Sequence, residues 1–406
     1  MNKIIFIGKF FPKRLLTTIK EDSFGRVGFS NHNFEKSIMG GLSSNISGDV
    51  YCISCPMVYS YPYNNKKLFT CSEQYKDKNL IIQSVSFCNL VLLKAIWKVF
   101  ATASILLSTI RKIEGDVDII INTPDVFLQL SVRIAMLFTR KRIRTTLIIP
   151  DIPSFVNSMT KYNPIKTFIL KQLDNLAIKQ AREHDFLVLL TEQMMDFIKK
   201  PIPHIVMEGL IDEKTYHMTQ SFDMEQQQIR SVLYTGTLAH QFGLMNLVEA
   251  FERADIPNVE LWICGSGDTT DMLKKKSTSN KNIKFYGLVS SEQAFELQHR
   301  ATILVNPRTS DGEFTKYSFP SKTLEYLLSG KPVIANILPG FPNEYRSYII
   351  SPKNESIEAL SECLSYVLSK SDEELFNIGK KGRDFVIKNK NSKVQIAKVL
   401  NMMNNE

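Results

Sequence analysis

The chain has 406 residues and lacks several things that would have placed it at once. It has no cysteine framework. Cys52, Cys55, Cys71, Cys88, Cys264 and Cys363 are scattered, several within apolar segments. Cys52-Ile53-Ser54-Cys55 has no second Cys/His pair to complete a metal site. This excludes a disulfide scaffold or a zinc ribbon and points to packed, reduced thiols in the cytosol. The histidines show no ligand spacing. No zinc-finger, RRM or basic-zipper pattern is present, so nucleic acid is not an expected partner. No apolar stretch runs uninterrupted across a bilayer length. The longest, Phe87 to Ile110, is broken by Lys94 and Lys98, and reads as a core helix or one lying on a membrane surface. At the start, only Ile4 to Gly8 separates Lys3 from Lys9. That is too short for a secretory signal and reads as a first buried strand, Ile4–Ile7. No internal repeat is visible.

Acid is also scarce, but only in one half. Residues 1–200 carry 27 Lys/Arg against 16 Asp/Glu, a net +11, while residues 201–406 carry 23 against 25, a net −2. Such asymmetry speaks of partners rather than of fold. An anionic membrane surface or a phosphorylated substrate suits it. Lys94, Lys98, Arg111 and Lys112 punctuate the long apolar stretch, and Arg140, Lys141, Arg142 and Arg144 form a second cluster. Basic groups beside an apolar helix suit anionic lipid; solvated charges on a core helix are the plainer alternative.

The length allows two domains, each with its own core. The first half alternates apolar strands (Ile4–Ile7, Val50–Ile53, Ile119–Ile121, Thr145–Ile149, Phe186–Leu190) with helices (Phe29–Gly40, Leu92–Ile110, Val126–Thr139, Thr167–Gln180, Glu192–Lys199). This predicts a parallel, doubly wound sheet. Pro201 to Gln228 reads as a linker. The alternation resumes at Val232. Ligands of such sheets bind at the C-terminal ends of the strands. Gly8-Lys9-Phe10-Phe11-Pro12 and Pro150-Asp151-Ile152-Pro153 lie at such ends.

One stretch carries more chemistry than any other: Ser318-Phe319-Pro320-Ser321-Lys322-Thr323-Leu324-Glu325-Tyr326-Leu327-Leu328-Ser329-Gly330-Lys331-Pro332-Val333-Ile334-Ala335. Pro320 fits a first helical turn and Ser318 a cap. Gly330 stops the helix and Val333 opens a strand. Free amides at Ser318–Ser321, with Lys322 beside them, make an anion site. Glu325, one turn on, is placed to accept from ribose hydroxyls. A solvated Lys–Glu pair at i,i+3 is the ordinary alternative.

This stretch resembles the nucleotide-binding helix of the retaining glycosyltransferases of family 4, of bacterial surface-polysaccharide type. Glu325 and Gly330-Lys331-Pro332-Val333-Ile334 match residue by residue. The likeness runs from about Val232 to Met403. Val232 to Leu238 with Phe242-Gly243-Leu244, Leu261 to Gly267, Ile283 to Val289, and Ala301 to Pro307 match in order. It implies a GT-B fold: α/β, two Rossmann-like doubly wound domains facing a central cleft. Residues 1–205 would bind acceptor and 206–391 the donor, with 392–406 a helix packing back toward the first domain. It further implies transfer of a sugar from a nucleotide diphosphate sugar to a glycan or lipid-linked glycan, with retention and no cofactor. The positive helix start, with no acidic pair after a strand, predicts a metal-free reaction, and the basic groups beside the long apolar stretch suggest the inner membrane face.

The chain departs from the family in places. The family's first glutamate, eight positions before Glu325, is Tyr317 here; Glu313 and Asp311 lie nearby. The family's Arg and Lys after the first glycine of this domain are Thr237 and Phe242. The expected donor-binding set is therefore Gly236, Thr237, Arg308, Ser318, Phe319, Ser321, Lys322 and Glu325, with Lys316 as a further cation. Asp151 and Glu313 are the catalytic candidates; for Asp151, a turn or helix cap is an equal alternative. Gly8, Lys9 and Ser30 are assigned to the acceptor side, Ser30 within a Gly25–His32 loop that is either an acceptor loop or only a loop. Asp116-Val117-Asp118 is like the acidic pair of GT-A enzymes but precedes its strand, so a surface turn is expected. Gly265-Ser266-Gly267 lacks a third glycine, and tight turning explains it. Rival readings are a GT-B nucleotide-sugar epimerase and a non-catalytic partner subunit.

Overall fold

The structure is a computed structural model and describes residues 3–24, 30–70, 74–158, 163–211, 216 and 229–405. Residues 25–29 of the expected Gly25–His32 loop and most of the expected linker, 212–215 and 217–228, lie outside the described residues, and Ser30–His32 are already helical. The chain forms two compact units, one of Met1–Leu210 with Ser392–Glu406 and one of Ile211–Asn391.

Among the described residues the first unit has ten strands: β1 (Lys3–Gly8), β2 (Val50–Ser54), β3 (Leu68–Phe69), β4 (Gln74–Asp77), β5 (Leu80–Ser84), β6 (Phe87–Cys88), β7 (Val117–Asn122), β8 (Ile143–Ile149), β9 (Phe186–Leu189) and β10 (His204–Val206). Eight of them form one sheet in the order β10-β9-β8-β7-β1-β2-β5-β4. All pairs are parallel except β4 with β5. β1 and β7 are buried along almost their whole length, which is why they read as unbroken apolar runs. The β4–β5 hairpin and the short β3–β6 ribbon were not legible, because Gln74–Asp77 is mostly exposed and carries no alternation. The strand order reverses between β1 and β7, so the loops after these two strands open at a topological switch point.

The final helix, Ser392–Asn405, packs on the helix Ser30–Asn45. Ile396, Val399, Leu400 and Met403 share a core with Ile38, Met39 and Leu42.

The second unit holds β11 (Arg230–Thr237), β12 (Val259–Ser266), β13 (Ile283–Gly287), β14 (Ile303–Asn306) and β15 (Val333–Ala335). They form an all-parallel sheet in the order β13-β12-β11-β14-β15. The reversal falls between β11 and β14. One core joins the sheet to the helices Leu244–Ala254 and Ile357–Leu368 through Leu247, Val248, Phe251, Leu360 and Leu364.

Asp118 is no surface turn. It lies inside β7, 1% exposed, and takes a two-pronged contact from Arg144 of β8 at 2.9 Å on each oxygen. A charge at that point of a buried strand needs a bidentate partner.

Candidate functional site

In the second unit β11 and β12 end together, Gly236 opposite Gly265 and Thr237 opposite Ser266. Gly265 has φ +138°, and a Cβ there would sit 1.8 Å from the Gly236 carbonyl oxygen. The Gly265-Ser266-Gly267 turn thus serves a close approach of two strand ends, and no cofactor is needed to account for it. Above these ends lies a cavity of about 320 Å³, lined by Thr235, Gly236, Thr237, Gly265, Ser266, Val289, Ser290, Ser291, Gln298, Lys322 and Glu325. Four of the sequence-expected donor residues, Gly236, Thr237, Lys322 and Glu325, come together here.

The helix that carries the last two spans Lys322–Leu328. It starts later than expected. Ser318 is not its cap; its hydroxyl accepts from Arg308 Nη2 at 3.0 Å. Ser321 occupies the cap position with no side-chain hydrogen bond. Pro320 biases Phe319 before it toward extended backbone, which keeps Phe319 out of the helix and Ser318 from the cap position. Seven residues make a weak macrodipole, so most of the positive potential here comes from the Lys322 ammonium. Lys322 Nζ donates to Glu325 Oε2 at 2.7 Å, and the two side chains are 39% and 33% exposed.

Tyr326 was missed, since nothing local marks it. Its buried hydroxyl receives the Thr235 N–H at 2.8 Å and donates to the Thr235 carbonyl at 3.0 Å. Gln298 Nε2 donates to Thr235 Oγ1 at 3.1 Å. Burial pushes the phenol far above its ordinary range. These bonds pin the helix bearing Glu325 to the strand end bearing Gly236 and Thr237.

The other candidates fall elsewhere. Arg308 is held between the rings of Phe242 and Phe314, at 5.3 and 4.8 Å. Its Nε is buried without a partner, and burial lowers its pKa. Phe242, standing at the family's lysine position, is thus one wall of the arginine's slot. Phe319 is buried against Phe341 and Tyr345, at 4.9 and 5.1 Å. Its ring is core at 6% exposure, which leaves only its backbone amide for the expected donor contact. Ser321 and Glu313 are exposed, Glu313 on a 3-10 turn outside the cavity lining; Tyr317 is buried.

In the first unit the switch-point loops are filled with charge. Lys9 Nζ meets Asp125 Oδ2 at 2.6 Å. Burial opposes both charges, and each overcomes it for the other: Asp125 is held low and Lys9 high. Asp125 also caps the helix Val126–Leu137, accepting from Phe127 and Leu128 amides at 2.8 and 3.1 Å. Glu35, fully buried, accepts from the Lys9 amide at 2.9 Å and from Asn122 Nδ2 at 2.6 Å, while its Oε2 has no partner. Burial pushes its carboxyl up to about 7. A Cβ on Gly8 would lie 2.9 Å from that carboxyl. Gly8 is therefore required by packing.

Ser30 opens the helix that carries Glu35, five residues on, and its neighbour Asn31 accepts from Asn122 Nδ2 at 3.2 Å. Asp151 is exposed by area, yet neighbouring atoms desolvate its carboxyl and raise it to about 6. Among the described residues, no three His, Cys, Asp or Glu side chains gather as metal ligands.

The sequence family described as "Glycosyl transferases group 1" matches residues 229–370. No curated protein sequence gives a significant match. Among solved structures, sucrose-phosphate synthase from Thermosynechococcus elongatus superposes with a TM-score of 0.63 at 14% identity, covering 99% of both chains. The lipopolysaccharide outer core galactosyltransferase WaaB, in its apo form, gives 0.60 at 15%, again covering 99% of both. HepE of Anabaena, in complex with UDP, gives 0.62 at 13%, covering 98% of this chain and 99% of that one. At such identities the likeness shows the fold, which is GT-B. With the matched segment, 229–370, the chain is a glycosyltransferase.

Proposed function

We propose that the chain transfers a sugar from a nucleotide diphosphate sugar to a glycan or lipid-linked glycan, with retention and without a metal, in polysaccharide biosynthesis at the cytoplasmic membrane face. The observation that carries the donor reading is the cavity at the ends of β11 and β12, with Lys322 and Glu325 on one wall and the glycine backbone of Gly236 on another. Lys322 leaves Glu325 for the diphosphate, and Glu325 turns to the ribose hydroxyls. The exchange costs little, because a half-exposed ion pair contributes about 0–1 kcal/mol.

Negative charge grows on the leaving diphosphate as the glycosidic bond breaks. Lys322 and nearby amides stabilise it, the task a metal performs in other transferases. UDP in HepE, the printed ligand of one fold neighbour, favours a nucleotide in this chain too. Asp151, with its raised carboxyl, as the group facing the reacting sugar, and Glu313, in place of the family's first glutamate, remain the catalytic candidates, and Gly8, Lys9 and Ser30 the acceptor side. Retention and the surface-polysaccharide setting rest on the family resemblance.

A panel of nucleotide sugars screened for thermal stabilisation tests the donor, since a ligand at 100 times its Kd adds about 2.7 kcal/mol. Stabilisation by one nucleotide series, with sugar passing to added acceptor, is expected. Donor isomerisation without transfer would instead favour an epimerase. Activity is expected to survive EDTA; loss restored by Mg²⁺ or Mn²⁺ would overturn the metal-free mechanism.

A further inference from the structure

The helix Val91–Lys112 is inverted in its first half. Its lysines point into the protein. Lys94 Nζ donates to the Val58 carbonyl and to Ser60 Oγ, the latter at 3.4 Å. Lys98 Nζ donates to the Pro56 carbonyl at 2.7 Å and lies 4.1 Å above the Phe87 ring. The expectation that these two lysines face a membrane is corrected. Loop carbonyls at 56–60 that no strand satisfies have drawn them inward.

The apolar side chains take the outside instead. Leu93, Ile96, Trp97 and Phe100 are 50–61% exposed. The loop that Lys94 and Lys98 hold carries exposed Tyr59, Tyr61, Tyr63 and Leu68. Asn89 fastens this loop to the helix start, donating from Nδ2 to the Tyr59 and Lys66 carbonyls at 3.0 Å each. The aromatic surface is thus a built platform.

Its fringe is basic. Lys66 and Lys67 are exposed, Lys67 lying 5.1 Å over the Tyr61 ring. Farther along the same helix face come Ser104 and Ser108, then exposed Arg111 and Lys112. Residues 55–112 hold eight Lys/Arg against two Asp/Glu, and residues 126–144 hold five against none. Not every one of these is free. Lys141 donates to the Ile110 and Ile113 carbonyls at the helix C-terminus, and Arg144 is bound to Asp118. Arg133, Arg140 and Arg142 are exposed. The acids Glu114 and Asp116 lie beyond the far end of the helix.

We propose that the aromatic end of this helix and the Tyr59–Leu68 loop form a docking surface for the interface of an anionic lipid bilayer. The inference deepens the lipid-linked acceptor reading and rests on it for its biological sense. Trp and Tyr pair an apolar body with a polar tip and favour the headgroup level. Leu93, Ile96 and Phe100 enter the acyl boundary, and the basic fringe meets the lipid phosphates. By length and composition Leu93–Lys112 is also able to cross a membrane. Its inner face is already committed to protein through Val99, Thr102, Ala103, Leu106 and Ile110, so it lies in the interface plane.

The chain supplies its own probe. It has two tryptophans, and Trp262 is buried while Trp97 is exposed. In the Trp262→Phe full-length protein, emission therefore reports Trp97. Phosphatidylglycerol-containing vesicles should shift that emission to the blue, and brominated lipid should quench it. Phosphatidylcholine vesicles should do either far less. Trp97→Ser/Phe100→Ser should weaken vesicle flotation about tenfold or more, while nucleotide-sugar stabilisation and transfer to a short soluble acceptor stay unchanged. Flotation without any change at Trp97, or self-association lost in the double variant with no vesicle binding, would overturn the docking surface. Loss of nucleotide binding in the unmodified chain would instead overturn the donor reading and leave the docking result standing.

Discussion

The ends of β1 and β11 hold charge in opposite ways. After β1, Lys9, Asp125, Glu35 and Asn122 face one another and are largely shut off from water. After β11, Lys322 and Glu325 also pair, but on the wall of an open cavity and half exposed. Both are strand ends next to a reversal of strand order. The first spends its charges on holding two loops and a helix start. The second keeps its charges available, because a ligand can replace the partner at little cost. A part-exposed pair on a cavity wall can be exchanged for another partner at little cost, and a buried one cannot.

Four changes separate the two arrangements, from the largest effect to the smallest. Asp125→Ala removes the partner of Lys9 and a helix cap together. It should cost about 3–5 kcal/mol in urea unfolding; a loss under 1 kcal/mol would show the pair to be solvated.

Next is Glu35, whose folded-state pKa of about 7 lies above its unfolded value. The unfolded chain ionises this group first, so native stability falls as pH rises from about 4.5 to 7. Glu35→Gln removes that fall, on the order of 3 kcal/mol across the window. His32 and His184, both lowered to about 4 by burial, slope the other way. The difference between variant and wild type isolates Glu35. Parallel pH profiles would show its carboxyl ionised in the fold.

Glu325→Gln comes third. It should leave the fold intact and weaken nucleotide binding by about 1.5–3 kcal/mol, an order of magnitude or more. Unchanged affinity by titration calorimetry would remove Glu325 from the donor site. Smallest in stability is Lys322→Met, expected to shift unfolding by less than about 1 kcal/mol while still lowering nucleotide affinity. A large destabilisation would make the second pair as structural as the first.

Much of the scaffold could be read without coordinates. Most strands of the two sheets announced themselves as apolar runs, though β4, β5 and β10 did not, β10 lying within the expected linker; Gly330 and Pro332 marked the stop after Glu325. Gly236, Thr237, Lys322 and Glu325 were named from motif alone and line one cavity. That the ring of Phe319 turns into the core was not legible, because a motif places a residue in the chain but does not say which way its side chain turns. Ser318 was misread as a cap because the effect of Pro320 on the residue before it outweighed the serine's preference. Asp125 had a legible cap signal, standing just before an apolar helix, but its second bond, to Lys9, had none.

What the sequence determined by itself was local: alternation of strands and helices, glycine turns, the helix and strand around Glu325, and the charge imbalance between halves. Backbone dihedrals and side-chain periodicity act over a few residues, so these features survive being read in one dimension. The tertiary structure alone decided which way polar groups face. Glu35 finds Asn122 from 87 residues away, Tyr326 finds Thr235 from 91, and Lys98 finds the Pro56 carbonyl from 42. Burial makes an unpaired polar atom costly, and the fold settles that cost with whichever donor or acceptor packing brings near. That is why the lysines of the long helix turned inward and left Trp97 and Phe100 to the solvent.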